Sequence, residues 1–297
     1  MSAPAPARPL RHAAAPGALA ANEAHQFAAR YALMVAPSRA VYSFIPKNGC
    51  STLRLSLAIA NGAIAGPEAH TWIHLNNRTF QASFEWLLTA DYAFAVLRCP
   101  FRRLASCYLD KIVGRYPPLW RLYEAMGRTV EPEEMTFRAF VEALAAPKMR
   151  EADEHWRPQT DFLVYGAYDD LFDLADFAAA RARLKARIGL DVVDARDLTR
   201  HGTAHLTKSD AYGPDTPPLT LLNARAAGEI ADPATLYDAA LWRTVADLYA
   251  GDVALMAETF GAASIMAAPK PSARRTGRKA APERKAPNRK GAPERPA

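Results

Sequence analysis

The sequence predicts an α/β domain: a central, mainly parallel sheet flanked by helices. Three observations carry this. Residues 41–45 (VYSFI) and 92–97 (YAFAVL) are short apolar runs rich in β-branched and aromatic side chains, as strands buried on both faces require. Each run leads at once into a turn and a helix signal. Half the residues are apolar and 23% charged, an ordinary globular balance, and no stretch reaches the roughly 18 uninterrupted apolar residues of a membrane span.

In chain order, residues 1–21 hold Ala, Pro and Gly where a signal peptide needs a Leu-rich segment. They read as a disordered arm, with the cytoplasm as the default compartment. Residues 22–40 begin as an Ala-rich helix that Pro37 ends. After the strand at 41–45, Pro46 cannot donate to a ladder and closes it. Gly49 and Asn48 supply the backbone freedom of a tight turn. Cys50 or Ser51 opens a helix with Leu53, Leu57 and Ala60 on one face.

A strand, a tight loop and a helix N-terminus make an anion site, because free N–H groups and the positive end of the helix dipole face the loop. Lys47 lies in that loop, and Ser51 and Thr52 at the helix start. This is not a Walker A loop, in which two glycines precede the lysine; here Lys47 precedes Gly49. The plainer reading is a βα turn with a capping serine and a surface lysine.

Residues 61–77 are loop-like and carry His70 and His74. Phe80, Phe84, Leu87 and Leu88 mark a helix. After the second strand, Arg98 stands at the carboxyl end and Pro100 suits the first helical turn. Phe101, Leu104, Ala105, Tyr108 and Ile112 form the apolar stripe; Arg102, Arg103, Ser106 and Lys111 fall off it. Parallel sheets bind ligands at the carboxyl ends of their strands, so Lys47 and Arg98 are expected to converge.

Residues 116–134 read as an insertion, and Phe137, Phe140, Val141 and Leu144 as a helix. Phe162 to Tyr165 is the expected third strand. Leu174, Phe177, Leu184 and Ile188 mark a helix ended by Gly189, and Val192 and Val193 a short strand. Residues 199–220 read as irregular. Asp232 and Pro233 are an expected N-cap and N1 pair, with apolar helical spacing from Tyr237 to Phe260 broken near Gly251. The expected organisation is an arm (1–21), one α/β domain (22–267) and a tail (268–297).

The net charge of +6 belongs to the tail: residues 269–297 hold ten Lys/Arg, two Glu and six Pro. Such a segment cannot build a core. It is either simply solvated or a contact for anionic surfaces, with no sequence-specific nucleic-acid role. The three cysteines, Cys50, Cys99 and Cys107, give no disulfide framework, and no Cys/His spacing suggests a metal. Cys50 at a helix start, with His70 or His74 as its base, is the nucleophile alternative; a small residue closing a tight loop is the simpler one.

Residues 45–52 (IPKNGCST) resemble the 5′-phosphosulfate loop of sulfotransferases, especially the carbohydrate type related to the HNK-1, chondroitin and heparan 2-O enzymes. Residues 96–108 (VLRCPFRRLASCY) resemble their 3′-phosphate motif, with Cys99 where Asp or Asn is common. Residues 155–159 (HWRPQ) are similar to a third block. Residues 168–171 (YDDL) resemble a later segment, with Asp where Glu is usual. Residues 205–209 (HLTKS) resemble a His–x–Asn–x–Ser loop, with Thr for Asn.

The resemblance implies a P-loop NTPase-like three-layer sandwich. It implies a donor, PAPS (3′-phosphoadenosine 5′-phosphosulfate), a product, PAP, a hydroxyl acceptor of carbohydrate type, and no metal. By the same likeness Lys47 contacts the 5′-phosphosulfate and stabilises the leaving oxygen. Pro46, Asn48, Gly49, Cys50, Ser51 and Thr52 cradle that group, and Arg98 and Ser106 bind the 3′-phosphate. Lys208 and Ser209 close over the nucleotide. His70 or His74 is the implied general base, with His155 behind them. Trp72, Trp120 and Trp156 are candidates for lining a sugar site. The competing readings are a kinase-like phosphotransferase using ATP, which lacks its Walker loop here, and a non-catalytic nucleotide-binding scaffold with a basic tail.

Overall fold

The computed structural model describes residues 8–269 except 77, 197 and 199–204. The tail from residue 270 therefore lies outside the described residues. The chain opens with α1 (Glu23–Arg30), capped by the Asn22 side chain. It continues through β1 (Ala32–Val35), β2 (Ala40–Ser43), α2 (Cys50–Ala60), α3 (Trp72–Leu75), α4 (Phe84–Thr89) and β3 (Tyr92–Leu97). Next come α5 (Pro100–Cys107), a π-helical turn (Tyr108–Ile112), α6 (Pro117–Ala125), α7 (Phe137–Ala145), β4 (Asp170–Asp173) and α8 (Phe177–Ile188). The last elements are β5 (Thr207–Ser209), α9 (Pro218–Ala226), β6 (Glu229–Ala231), α10 (Ala239–Leu248) and α11 (Ala250–Phe260).

The central sheet has the order β1-β2-β3-β4, parallel except for the antiparallel edge strand β1. Side-chain alternation sends Tyr42, Phe94 and Val96 to one face, where Leu53 and Leu57 of α2 and Leu184 of α8 cover them. Val41 and Ala93 point the other way, against Ala28 of α1 and Leu87 of α4, and Ala95 and Leu97 against Phe27 and Met256. A second core joins Phe101, Tyr108, Phe137, Phe140, Trp156 and Tyr237. Fully burying each such side chain is worth about 1.5–3 kcal/mol. Among the described residues no helix is long and apolar enough to cross a membrane, and no group of three His, Cys, Asp or Glu could hold a metal ion.

The second strand begins and ends where the pattern put it, and Gly189 closes α8 at φ 66°. Several expectations give way. The Ala-rich region after α1 is edge strand β1, and Pro37 sits in a 3₁₀ turn. The third sheet strand expected at 162–165 is instead β4, because residues 162–165 pack over one face of the sheet, with Phe162, Val164 and Tyr165 buried among Val41, Ala93, Ala95 and the flanking helices. Residues 117–125 of the supposed insertion are α6, started by Pro117 at the helix N-terminus. Val192 and Val193 make no strand. Residues 207–209 and 218–226 are ordered as β5 and α9.

Asp232 and Pro233 lie in a turn; the cap that starts α10 is Asp238, which accepts from the N–H groups of Ala240 and Leu241. The helical break falls at Tyr249, one residue before α11 begins. The body also starts earlier than residue 22. Leu10 is 6% exposed and bridges Tyr165, and Arg8 grips Asp169 at 2.6 Å.

Candidate active site

Residues 44–49 connect β2 to α2 at the carboxyl end of the sheet. The turn uses two left-handed residues, Lys47 (φ 72°) and Gly49 (φ 73°); Asn48 is not one of them. Lys47 carries a Cβ, so its conformation costs about 1–2 kcal/mol, which surrounding bonds must offset. Asn48 is instead the buried anchor of the loop. It is fully buried, and its Nδ2 donates to the Val96 carbonyl (2.8 Å) and to Gln159 Oε1 (2.6 Å).

Gly49 caps α2 without a side chain. By contrast α1, α4, α7, α8 and α10 each have an Asn, Ser, Thr or Asp side chain on their first turn. In this α2 resembles α3, α5, α6, α9 and α11, which also start without a side-chain cap. A Cβ at Gly49 would lie 3.0 Å from Leu174 Cδ1, so both conformation and space call for glycine.

Gln159 ties the two strand–turn–helix units together. Besides Asn48, its Oε1 accepts from the Arg98 N–H (3.0 Å), and its Nε2 donates to the Arg98 carbonyl (2.8 Å). Asp252 of α11 holds the Gln159 and Thr160 N–H groups at 2.8 and 3.0 Å. Burial raises the Asp252 carboxyl, and those N–H bonds and Arg103 oppose it.

Arg98 Nη1 donates to the Lys47 carbonyl at 3.0 Å. The two motifs are thus in direct contact, from the Arg98 side chain to the Lys47 backbone, while the Lys47 amine turns to Asp110. Burial, with Arg103 nearby, pushes the Arg98 guanidinium down to about 10, so it stays cationic at neutral pH.

Arg103 departs furthest from its sequence reading. It fell off the apolar stripe of α5, yet it is 2% exposed. Its Nε donates to the Pro46 carbonyl (3.0 Å), Nη1 to Arg157 (2.7 Å) and Nη2 to Glu154 (3.4 Å). One guanidinium therefore clamps the loop to the 154–157 segment.

Lys47 Nζ lies 2.7 Å from Asp110 Oδ2, and Lys111 Nζ lies 3.1 Å from the same oxygen. The π-helical turn after α5 presents this carboxylate. The buried Cys107 thiol feels the same groups: burial pushes it up to about 12, Lys47 and Arg103 pull it down, and Asp153 and Asp110 add to the rise. It is not an activated nucleophile.

The other expected residues divide. Cys50 and Ser51 are half-buried at the α2 N-terminus beside Lys47. The Thr52 hydroxyl accepts from the Ala195 N–H at 3.2 Å and so braces the 193–195 segment. Ser106 is half-buried on α5. His70 follows a 3₁₀ turn, and its Nδ1 is buried without a hydrogen-bond partner. His74 is exposed on α3. Lys208 and Ser209 lie on β5, in a separate two-stranded sheet with β6 rather than on an irregular loop.

His155 contacts Asp153 at 2.6 Å. Trp156 is fully buried, Trp72 packs against Phe80 with the rings tilted at 34°, and Trp120 is 43% exposed. Sequence reasoning missed Arg103, Asp110 and Asp252 as site builders. For Arg103 the usable signal was its place inside the 96–108 motif; Asp252 gave none.

The model of the sulfotransferase family matches residues 31–193, more than half of the chain and both strand–turn–helix units, so the chain belongs to that family. No curated protein and no solved structure matches it.

Proposed function

We propose that this sulfotransferase-family chain moves a sulfuryl group from PAPS to a hydroxyl, by in-line displacement. The P-loop NTPase-like kinship of its sheet and loop belongs to this reading. The observation that carries it is the contact of the two motifs: Arg98 bonds the Lys47 carbonyl at the carboxyl ends of adjacent parallel strands, beside an α2 N-terminus that lacks a side-chain cap.

In this reading the free N–H groups of α2, with Ser51, receive the 5′-phosphosulfate. Lys47 leaves Asp110 and stabilises charge on the bridging oxygen as its bond to sulfur breaks. Arg98 and Ser106 take the 3′-phosphate, and Lys208 and Ser209 cover the nucleotide. The acceptor oxygen bonds to sulfur and its proton passes to a histidine, drawn from His70, His74 and His155. PAP leaves.

A sugar acceptor is supported by Trp120, exposed on α6 with Arg115 over its ring at 5.7 Å, a surface suited to stacking. The basic tail serves as a contact for anionic surfaces, and the cytoplasm is the proposed compartment. An ATP-dependent phosphotransferase lacks support from the family.

Calorimetric titration with PAP, beside ATP and AMP, tests this. Selective binding of PAP, weakened at least tenfold by Arg98→Ala, is expected. Binding of ATP in preference to PAP would overturn the donor assignment.

A further inference from the structure

Asp153 is 3% exposed and sits where the segment after α7 turns toward the loop. Its Oδ1 accepts from the His155 backbone N–H at 2.9 Å and lies 2.6 Å from His155 Nδ1. Its Oδ2 lies 3.3 Å from an Arg121 guanidinium nitrogen on α6. Burial pushes the Asp153 carboxyl up, and the His155 bonds with Arg121 pull it further the other way, to below its ordinary value. An ionised carboxylate at Nδ1 makes that nitrogen the donor and leaves Nε2 with the lone pair. This is the orienting half of a nucleophile-activating arrangement, in which a buried carboxylate sets tautomer and ring direction.

The pair also sits in the right neighbourhood. Arg103 bonds the carbonyls of Glu154 and Arg157, on either side of His155, and the carbonyl of Pro46, just before Lys47. Lys47 and Asp153 both reach the buried Cys107 thiol with their charges, the lysine lowering it and the carboxylate raising it. The His155 side chain is 19% exposed, so it is held yet reachable. Of the other two histidines, His70 Nδ1 is buried without a hydrogen-bond partner, and His74 stands exposed on a four-residue helix.

We propose that His155 is the general base of the transfer, with Asp153 as its positioning residue. The assignment rests on the sulfuryl-transfer reading. As the acceptor oxygen forms its bond to sulfur, its proton moves to His155 Nε2. The sulfur–oxygen bond to the 5′-phosphate breaks with its electron pair leaving on PAP, beside Lys47. Asp153 stabilises the imidazolium until the proton returns to water.

The test compares His155→Gln, His155→Ala, Asp153→Asn, His70→Gln and His74→Gln with the parent chain. Radiolabelled PAPS is the donor. The acceptor probes are unsulfated oligosaccharides of glucuronic acid and N-acetylhexosamine, with water as the acceptor in their absence. PAP affinity and melting temperature are read on the same samples. His155→Gln is expected to lower kcat by about 10²–10⁴, with the KM for PAPS and the PAP affinity unchanged within about twofold. Asp153→Asn should lower kcat by a smaller factor with the same KM, and free imidazole should restore part of the His155→Ala rate.

A His155→Gln enzyme at the parental rate overturns the assignment, as does a kcat loss confined to His70→Gln or His74→Gln. If His155→Gln melts early, the imidazole rescue decides: no rescue in a folded His155→Ala overturns it. A parent chain that binds no PAP overturns the underlying sulfuryl-transfer reading instead, which separates the two failures.

Discussion

The two strand–turn–helix units do the same job by different means. Between β2 and α2 the chain spends residues 44–49 on a loop with two left-handed residues and no side-chain cap. Between β3 and α5 it spends only Arg98 and Cys99, and Pro100 starts the helix at once. The first unit offers backbone donors, the second a single guanidinium. The first cation, Lys47, is already matched by Asp110 at 2.7 Å, whereas Arg98 bonds the Lys47 carbonyl. The difference teaches that a loop with two left-handed residues and no side-chain cap does not hold its own shape. Its braces, Asn48, Gln159 and Arg103, are buried side chains, two of them from other elements. The short crossing needs less: the proline ring starts its helix, and Gln159 holds both the N–H and the carbonyl of Arg98.

The largest effect that should separate the units comes from Arg103. Arg103→Ala orphans the carbonyls of Pro46, Glu154 and Arg157 and removes the cation that faces buried Asp252. Urea unfolding should show a loss of about 3–5 kcal/mol. Because the three bonds need a planar fork, Arg103→Lys should recover little of it. A loss below about 1 kcal/mol would mean that the loop stands without its clamp.

Smaller effects should distinguish the crossings themselves. Gly49→Ala places a Cβ at φ 73° and 3.0 Å from Leu174 Cδ1, so chemical denaturation should report a cost of about 1–2 kcal/mol from the backbone alone. Pro100→Ala should cost only about 0.4–1 kcal/mol, since it acts chiefly through the unfolded chain. Equal costs would erase the contrast.

The smallest expected effect sharpens the electrostatic side. Asp110→Asn removes the carboxylate that competes with an anion for Lys47, so PAP should bind a few-fold more tightly in calorimetry, within the roughly 1 kcal/mol typical of such exchanges. Weaker binding would show that Asp110 positions Lys47 for the nucleotide rather than competing with it.

Much of this was legible in residue patterns. Continuous apolar runs marked the strands whose both faces are covered, and β3 matched its run residue for residue. The helix stop at Gly189 and the start at Pro100 were legible because their causes are local: a left-handed cap and a fixed φ. Elements whose identity depends on partners were not. The strand β1 is four residues long and exists because β2 offers it an edge. The run at 162–165 has strand composition but covers a face of the sheet beside the helices, while the acidic segment at 170–173 pairs with β3 instead. Asp232 and Pro233 had the chemistry of a cap, and Asp238 was the one followed by a helix.

By itself, then, the sequence determined the α/β class, the two βα motifs and the placing of Lys47 and Arg98 after neighbouring parallel strands, because strand period, turn chemistry and parallel topology are rules of short range. Only the tertiary structure decided what holds them. Whether Arg103 is a surface charge or a buried clamp, whether Gln159 meets Asn48 and Arg98, and whether Arg121 comes to stand behind Asp153 are questions of long-range packing. In the folded chain each polar group taken from water needs a partner, and residues 48, 98, 159 and 252 become one network only once the helices have brought them together.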